Sequence, residues 1–344
     1  MRAFAVFVLA LGACSIAGRA APGGPTPTRA ASRATPTATT ATTARAAATP
    51  LAPTIPTPST SPACDRTPRE TGKIQDPELN EVSGVVESRK NPRVLFVHND
   101  SGDSPRFFAI DRGGQLLAEL VLETVPLLLD AEEIAIGPGP GGAQFIYLGD
   151  TGNNFASLGR GIPRRKAVLY RIPEPDVSLA WRKHRLELYE AFPIVFTFPK
   201  GARDVEAFFI DPQSGDLFMI SKQLDGHSQI LSASAAMLAA GGGELALRAQ
   251  LHFGRAPLPG SSMPTAASIS RDGSSILVRT YSSVFLFRRN PGQAIESALL
   301  RPPVSEPSPN ESQGEAISFV DGDSAFVTVS EGVRPAIQCA TLSP

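Results

Sequence analysis

Apolar runs of four to seven residues, rich in Val, Ile and Phe and cut by Gly, Asp, Asn and Pro, dominate the chain from about Cys64 onward. This is the patterning of short strands joined by turns, and long helical periodicity is scarce. Ser232 to Ala240 is the best helical stretch, and it is short. One phrase recurs five times. A strand opens on an acidic or small residue, and a second strand follows that ends in polar residues. The copies begin at Glu81-Val82-Ser83-Gly84-Val85, Asp130-Ala131-Glu132-Glu133-Ile134, Asp204-Val205-Glu206-Ala207-Phe208, Thr265-Ala266-Ala267-Ser268-Ile269 and Gly314-Glu315-Ala316-Ile317-Ser318. A spacing of roughly 50 to 70 residues suits one four-stranded sheet per unit, arranged radially as a β-propeller.

Second strands are expected at Val94 to His98, Phe145 to Leu148, Leu217 to Ile220, Ile276 to Arg279 and Ala325 to Val329. Third strands follow at Phe107 to Asp111, Val168 to Ile172, Gln229 to Leu231, Val284 to Phe287 and Pro335 to Ala340. Outer strands are weaker: Leu116 to Leu122, a piece of Leu186 to Phe198, Leu245 to Phe253, and Ala294 to Leu300. The fifth unit runs out of chain after three strands, while Thr71 to Ile74 lies unassigned before the first. The economical arrangement gives that N-terminal piece to the fifth blade as its outer strand. Five blades are expected. A sixth stays open, because Asn154 to Lys200 is longer than one blade needs.

The N-terminal residues read differently. Arg2 precedes an apolar run, Phe4 to Leu11, that is too short to span a bilayer, as in an export signal. Leu11-Gly12-Ala13-Cys14 resembles a bacterial lipobox, which would make residues 1–13 a lipoprotein signal and Cys14 the acylated N-terminus. The alternative is an ordinary signal peptide cut after Ala20, giving a secreted protein. Residues 14–63 are Ala, Thr, Pro and Ser with scattered Arg, and Ser15 to Pro62 contains no Asp, Glu or Lys. Such a segment buries too little apolar surface to offset its ordering entropy, so a tether is expected. The domain itself should run from 64 to 344.

If Cys14 carries lipid, only Cys64 and Cys339 remain, one at each end of the domain. An oxidising, extracytoplasmic location would let them pair and staple the ring. In the chain-entropy model a loop of that length gains roughly 5 kcal/mol at most. Two unpaired thiols are the alternative.

Net charge is −1, so neither nucleic acid nor an anionic membrane surface is implied as a partner. Membrane contact is expected through the lipid anchor alone, and the domain is expected to be a monomer.

In a propeller the first strands start on the face where the second strands end. Glu81, Asp130, Glu132, Glu133, Asp204, Glu206 and Glu315 should therefore meet the ends of the second strands at one mouth. Those ends supply His98, Asn99, Asp100, Asp150, Asn153, Lys222, Arg279, Tyr281 and Glu331. Asp130/Glu132 and Asp204/Glu206 place two carboxylates on one face of a strand. Converging carboxylates repel unless they share a proton, meet a cation or pair with Arg or Lys. Arg203, Lys222 and Arg279 are the nearest basic residues and are outnumbered. A hard cation such as Ca²⁺ fits oxygen ligands of this kind, with Glu81, Asp130, Glu132, Asp150, Asp204, Glu206 and Glu315 as candidates. The alternative is that the acids cap loops and hold blade to blade. His98, Asn99, Asp100, Asn153, Lys222, Arg279, Tyr281 and Glu331 are candidates for a polar ligand. The loop Gly149-Asp150-Thr151-Gly152-Asn153-Asn154, running on to Arg164-Arg165-Lys166, is the longest on that face.

No Gly-x-Ser-x-Gly elbow, His-Glu-x-x-His or phosphate-binding Lys loop occurs, and His98, His184, His227 and His252 lack metal-ligand spacing. The function expected is therefore a binding propeller that takes a cation, a polar ligand or a cell-surface partner. The alternative is a metal-assisted hydrolase of a phosphate ester, ester or lactone, with Glu206, Glu132 or Asp150 as ligand or base.

Taken together, these phrases resemble those of exported bacterial β-propellers, the phytase/esterase-like and SdiA-regulated families. Their repeats open with Glu-x-Ser-Gly-apolar or Asp-x-Glu-Gly-apolar. Glu81 to Val85 matches the first form. Asp130/Glu132 and Asp204/Glu206 match the acidic part of the second, and Glu315 matches in part. Glu133, Ala207 and Ala316 stand where those families carry Gly, and the fourth copy has no acid. The resemblance implies a carboxylate-lined mouth that binds calcium, and no particular catalytic activity.

Overall fold

The computed structural model describes residues 64–153, 163–223, 227–254 and 261–344. The leader, the lipobox Cys14 and the tether lie outside them, as do Asn154 and the middle of the loop that follows it.

The described residues build a five-bladed β-propeller, each blade an antiparallel meander. Blade one comprises β2 (Val82–Glu87), β3 (Val94–Asn99), β4 (Arg106–Asp111) and β5 (Leu116–Leu122). Blade two comprises β6 (Ala131–Pro138), β7 (Gln144–Asp150), β8 (Lys166–Pro173) and β10 (Phe192–Thr197). In blade three, β11 (Val205–Ile210), β12 (Leu217–Ser221) and β13 (His227–Ala233) are followed by β15 (Ala246–His252). Blade four holds β16 (Pro264–Ile269), β17 (Ser275–Thr280), β18 (Val284–Arg288) and β19 (Val304–Glu306).

Blade five is composite. β20 (Gly314–Val320), β21 (Ala325–Ser330) and β22 (Ala336–Thr341) come from the C-terminal end. The outer strand is β1 (Arg69–Lys73), which pairs antiparallel with β22 from Arg69 opposite Cys339 to Lys73 opposite Ala336. Cys64 and Cys339 form a disulfide beside this seam, with their Cα atoms 5.3 Å apart. Strand pairing and a covalent bond thus close the ring at the same place.

The inner strands β2, β6, β11, β16 and β20 touch in that order and return to β2. Each is sandwiched between neighbouring blades, which is why β2, β11 and β20 are buried at every position. The core is correspondingly divided into five clusters, one per interface. Phe96 and Phe107 meet Ile146 and Leu148 between blades one and two. Tyr147 and Leu169 meet Phe208 and Met219 between blades two and three, and Phe209 and Phe218 meet Ile276 and Val278 in the next interface. Leu277 and Leu286 meet Phe319 and Phe326, and Val327 and Ile337 close the circuit against Val85 and Phe108.

One expectation needs correction, and one alternative drops out. Ala294 to Leu300 is not the outer strand of blade four: Ile295–Leu299 is a single helical turn, and the strand begins after Pro302-Pro303, at Val304. A proline pair cannot continue the helix, so the chain is extended beyond it. The surplus between Asn154 and Lys200 makes no sixth blade. Part of it forms β9 (His184–Leu188), which adds parallel to β5 as a fifth strand of blade one, with Ala118 opposite His184. A second added strand, β14 (Gly242–Glu244), pairs parallel with β10. The expected helix is present as Ala235–Ala239, capped by the Ser234 hydroxyl, which accepts from the Met237 N–H.

Candidate functional site

The mouth follows from a backbone irregularity repeated in all five blades. Where each inner strand begins, its pairing with the second strand slips by one residue, between Val82/Gly84, Ala131/Glu133, Val205/Ala207, Pro264/Ala266 and Gly314/Ala316. The extra residues are Ser83, Glu132, Glu206, Thr265 and Glu315. Bulges of this kind re-aim a side chain. Two residues earlier stand Glu81, Asp130, Asp204, Met263 and Gln313. Their carbonyls accept from the N–H of Asp100, Thr151, Lys222, Tyr281 and Glu331, the residues that follow the second strands. Two stacked rings of side chains result. The copies that seemed to open at Thr265 and Gly314 are therefore out of phase with the other three: Thr265 and Glu315 occupy the bulge, not the opening position.

Neighbouring blades are stitched at this level. The Ser83 hydroxyl donates to the Glu132 carbonyl over 2.8 Å, and Thr265 does the same to the Gly314 carbonyl over 2.9 Å. Thr151 reaches the Val205 carbonyl over 2.7 Å, and the Asn153 N–H donates to Asp204 over 2.8 Å.

Carboxylates dominate what remains. One oxygen each of Asp100, Asp130 and Glu132 lie within 4.8 Å of one another, and so do one each of Glu132, Asp204 and Glu206. Glu132 belongs to both groups and joins them. Gly152 lies directly above, where an added Cβ would fall 2.0 Å from Glu132 Oε1 and 2.6 Å from Asp130 Oδ2. Only glycine lets the backbone pass so close.

Lys222 inserts its ammonium among the acids, paired with Glu206 and 2.8 Å from the Tyr281 hydroxyl. Burial alone would depress Lys222, but Glu206, Tyr281, Glu315 and Glu132 outweigh it and hold the ammonium protonated. Gln313 bridges Glu315 and Glu331 from its side-chain amide. Burial, then Glu206, Asp100 and Asp130, pushes Glu132 well above the usual carboxylate range. Burial against Asp130 and Glu315 raises Asp100 to about 7. Glu331 is pushed up to about 8 by burial, with Glu315, Asp100 and Glu81 adding to it.

Not every candidate faces this cluster. The His98 ring is buried and neutral, its pKa lowered to about 4 by desolvation. Its Nδ1 lies 2.8 Å from the Asn99 carbonyl, and its Nε2 packs where a Cβ on Gly84 would come within 2.4 Å. The glycine of Glu81-Val82-Ser83-Gly84 is thus a matter of ring against backbone. Asn99 spends its amide on the Glu78 carbonyl and Asp103. Asp150 accepts the Asp130 N–H and pairs with Arg164 at 2.8 Å, and Arg164 also binds the Gly152 carbonyl and the Asn153 side chain. Asp150 and Asn153 therefore tie together the two described ends of the loop, at Gly152 and Arg164. Arg279 is fully buried between blades four and five, paired with Glu311 and donating to the Ala316 carbonyl. Arg203 turns to Gln229. Glu81 is exposed at the rim.

Glu133 goes a different way. It crosses the channel and accepts two backbone N–H groups, Ile134 at 3.0 Å and Ala267 of blade four at 2.9 Å. It closes the channel below the mouth. Sequence reading missed Glu311, Gln313 and Gly152. For Gly152 the signal was present, a glycine between polar residues directly after a strand.

No family profile matches the chain, and no curated protein matches it. A solved structure described as that of U3-55K aligns with 81% of this chain and 100% of its own at 10% identity. Its TM-score is 0.42, which informs neither ligand nor function.

Proposed function

We propose that this protein is a cation-binding propeller held outside the cytoplasm, with Ca²⁺ taken by Asp100, Asp130 and Glu132 at the mouth. The observation that carries this reading is the convergence of those three oxygens beside a second acidic group that already has the tethered cation Lys222. A hard cation takes oxygen ligands gathered in this way. The acidic opening phrases shared with the phytase/esterase-like and SdiA-regulated propellers support the same reading. A polar or cell-surface partner would then meet the ion from above, near Tyr281 and Glu331. The disulfide agrees with an oxidising location. No helix among the described residues is long and apolar enough to cross a membrane. Attachment is proposed through acylated Cys14, with the 14–63 tether as spacer.

Calorimetric titration of the soluble domain with CaCl₂ tests the site. Saturable binding should be lost in Glu132→Gln and Asp130→Asn and retained in Asp150→Asn; heat no larger in the wild type than in Glu132→Gln rejects it. Cys14→Ser in the full chain should move the protein from the membrane fraction to the soluble fraction. Unchanged retention rejects the anchor.

A further inference from the structure

A cavity lies between blades two and three, on the face opposite the mouth. Arg171 on β8 stands in register with Tyr147 on β7 and Phe192 on β10, so the three share one face of blade two. Its guanidinium carbon is 5.5 Å from the Phe145 ring centre and 5.9 Å from that of Phe192. Arginine held this way is positioned by its aromatic neighbours while its charge remains uncompensated. Among the described residues no carboxylate pairs with it, and its buried Nε has no hydrogen-bond partner. Among the described residues the buried arginines Arg112 and Arg279 each have a carboxylate, as does the half-buried Arg289.

The cavity beside Arg171 is about 240 Å³, walled on the other side by Pro212, Leu238 and Ala239 of blade three. The Tyr147 hydroxyl is occupied by the Pro138 carbonyl and leaves Arg171 as the cationic donor on this wall. A site with one fixed cation and a mixed lining, apolar at Pro212, Leu238 and Ala239 and polar at Gln213 and Ser214, suits an anion with an apolar body. The volume falls below the roughly 300 to 1,000 Å³ of drug-sized sites, so the ligand is small. We infer that this cavity binds a small monocarboxylate, with its carboxylate on the Arg171 guanidinium and its apolar body against Leu238 and Ala239. Planar, two-pronged recognition of carboxylate is what arginine does and lysine does not.

The test uses the intact domain and hexanoate, with hexanamide as the neutral match, followed by NMR titration. Hexanoate should shift signals of blades two and three saturably, and hexanamide should not. Arg171→Gln should weaken hexanoate roughly ten- to hundred-fold, and Arg171→Lys should restore only part. Ala239 is exposed, so Ala239→Trp fills the cavity without touching the blade core and should abolish binding. Equal binding of the amide, unchanged affinity in Arg171→Gln and Ala239→Trp, or no saturation by millimolar hexanoate would overturn the inference. Calcium binding at the mouth should be unaffected by either variant, so the two sites fail independently.

Discussion

Buried acids at the mouth and buried acids between the blades are treated in opposite ways in this protein. Between and below the blades, acids meet arginine. Asp211 pairs with Arg289 at 3.0 Å, Glu87 with Arg112 at 2.7 Å and Arg271 at 3.0 Å, and Glu311 with Arg279. At the mouth, acids meet other acids, with Lys222 paired to Glu206 and Arg164 to Asp150 at its edge. In the first setting the pair fixes a geometry. In the second, like charges are crowded where burial already penalises ionisation, and the group is left with an appetite for protons or a cation. An acidic residue in a repeat therefore says little about function until its neighbours are known.

The comparison can be broken most forcefully at Arg279. Glu311→Gln leaves that guanidinium buried without its counter-ion and should destabilise the domain by about 3–5 kcal/mol. Chemical denaturation would show it, and a loss below about 1 kcal/mol would mean the pair is not what holds blades four and five. By contrast Glu132→Gln should leave stability nearly unchanged while removing calcium.

Gly84→Ala comes next. Its Cβ would meet His98 Nε2 at 2.4 Å and the Ile134 backbone N at 2.8 Å, so ring and inner strand must shift. A cost of about 1–3 kcal/mol is expected, as in overpacked cores. Gly102→Ala, where nothing lies within 4 Å, separates the effect of crowding from that of backbone conformation, since Gly102 has a positive φ of 88°.

The smallest effect concerns pH. Asp100 and Glu331 titrate at about 7 and about 8 in the fold, above their unfolded values near 4. Raised carboxylates favour the folded state while protonated. Their contribution is complete below about pH 4 and is lost as pH climbs through 7 and 8. His98 has the opposite sign: its contribution is complete above about pH 6.5 and is lost as pH falls through 4. Two raised carboxylates outweigh one lowered histidine, so the metal-free domain should melt progressively lower as pH rises from about 4 to 8 and change little above that. Calcium should remove this decline, because it takes the place of the lost protons. A decline that calcium does not alter would locate its cause away from the mouth.

Much of the architecture was legible along the chain. Leu116 to Leu122 coincides with β5, and each of the five second-strand stretches falls within its strand, because alternating and continuous apolar runs report burial directly. The orphan strand before the first unit, the three-stranded last unit and a cysteine at each end carried the ring closure. Where local signals were balanced, as in Ala294 to Leu300, helix propensity and Pro302-Pro303 won over the expected strand. The spare strand β9 had nothing local to mark its attachment to blade one.

The sequence by itself pointed to a ring of about five repeated sheets, to where the ring closes, and to carboxylates gathered at one mouth. Those features rest on burial periodicity, chain length and covalent chemistry, all of which act along the chain. Only the tertiary structure decided what each polar residue does there. A one-residue bulge, invisible to composition, puts Glu132, Glu206 and Glu315 on one level, sends Glu133 across the channel, and leaves His98 and Arg279 in the core. Electrostatic environment depends on distances of a few ångströms between residues far apart in sequence, and those distances exist only once the blades have met.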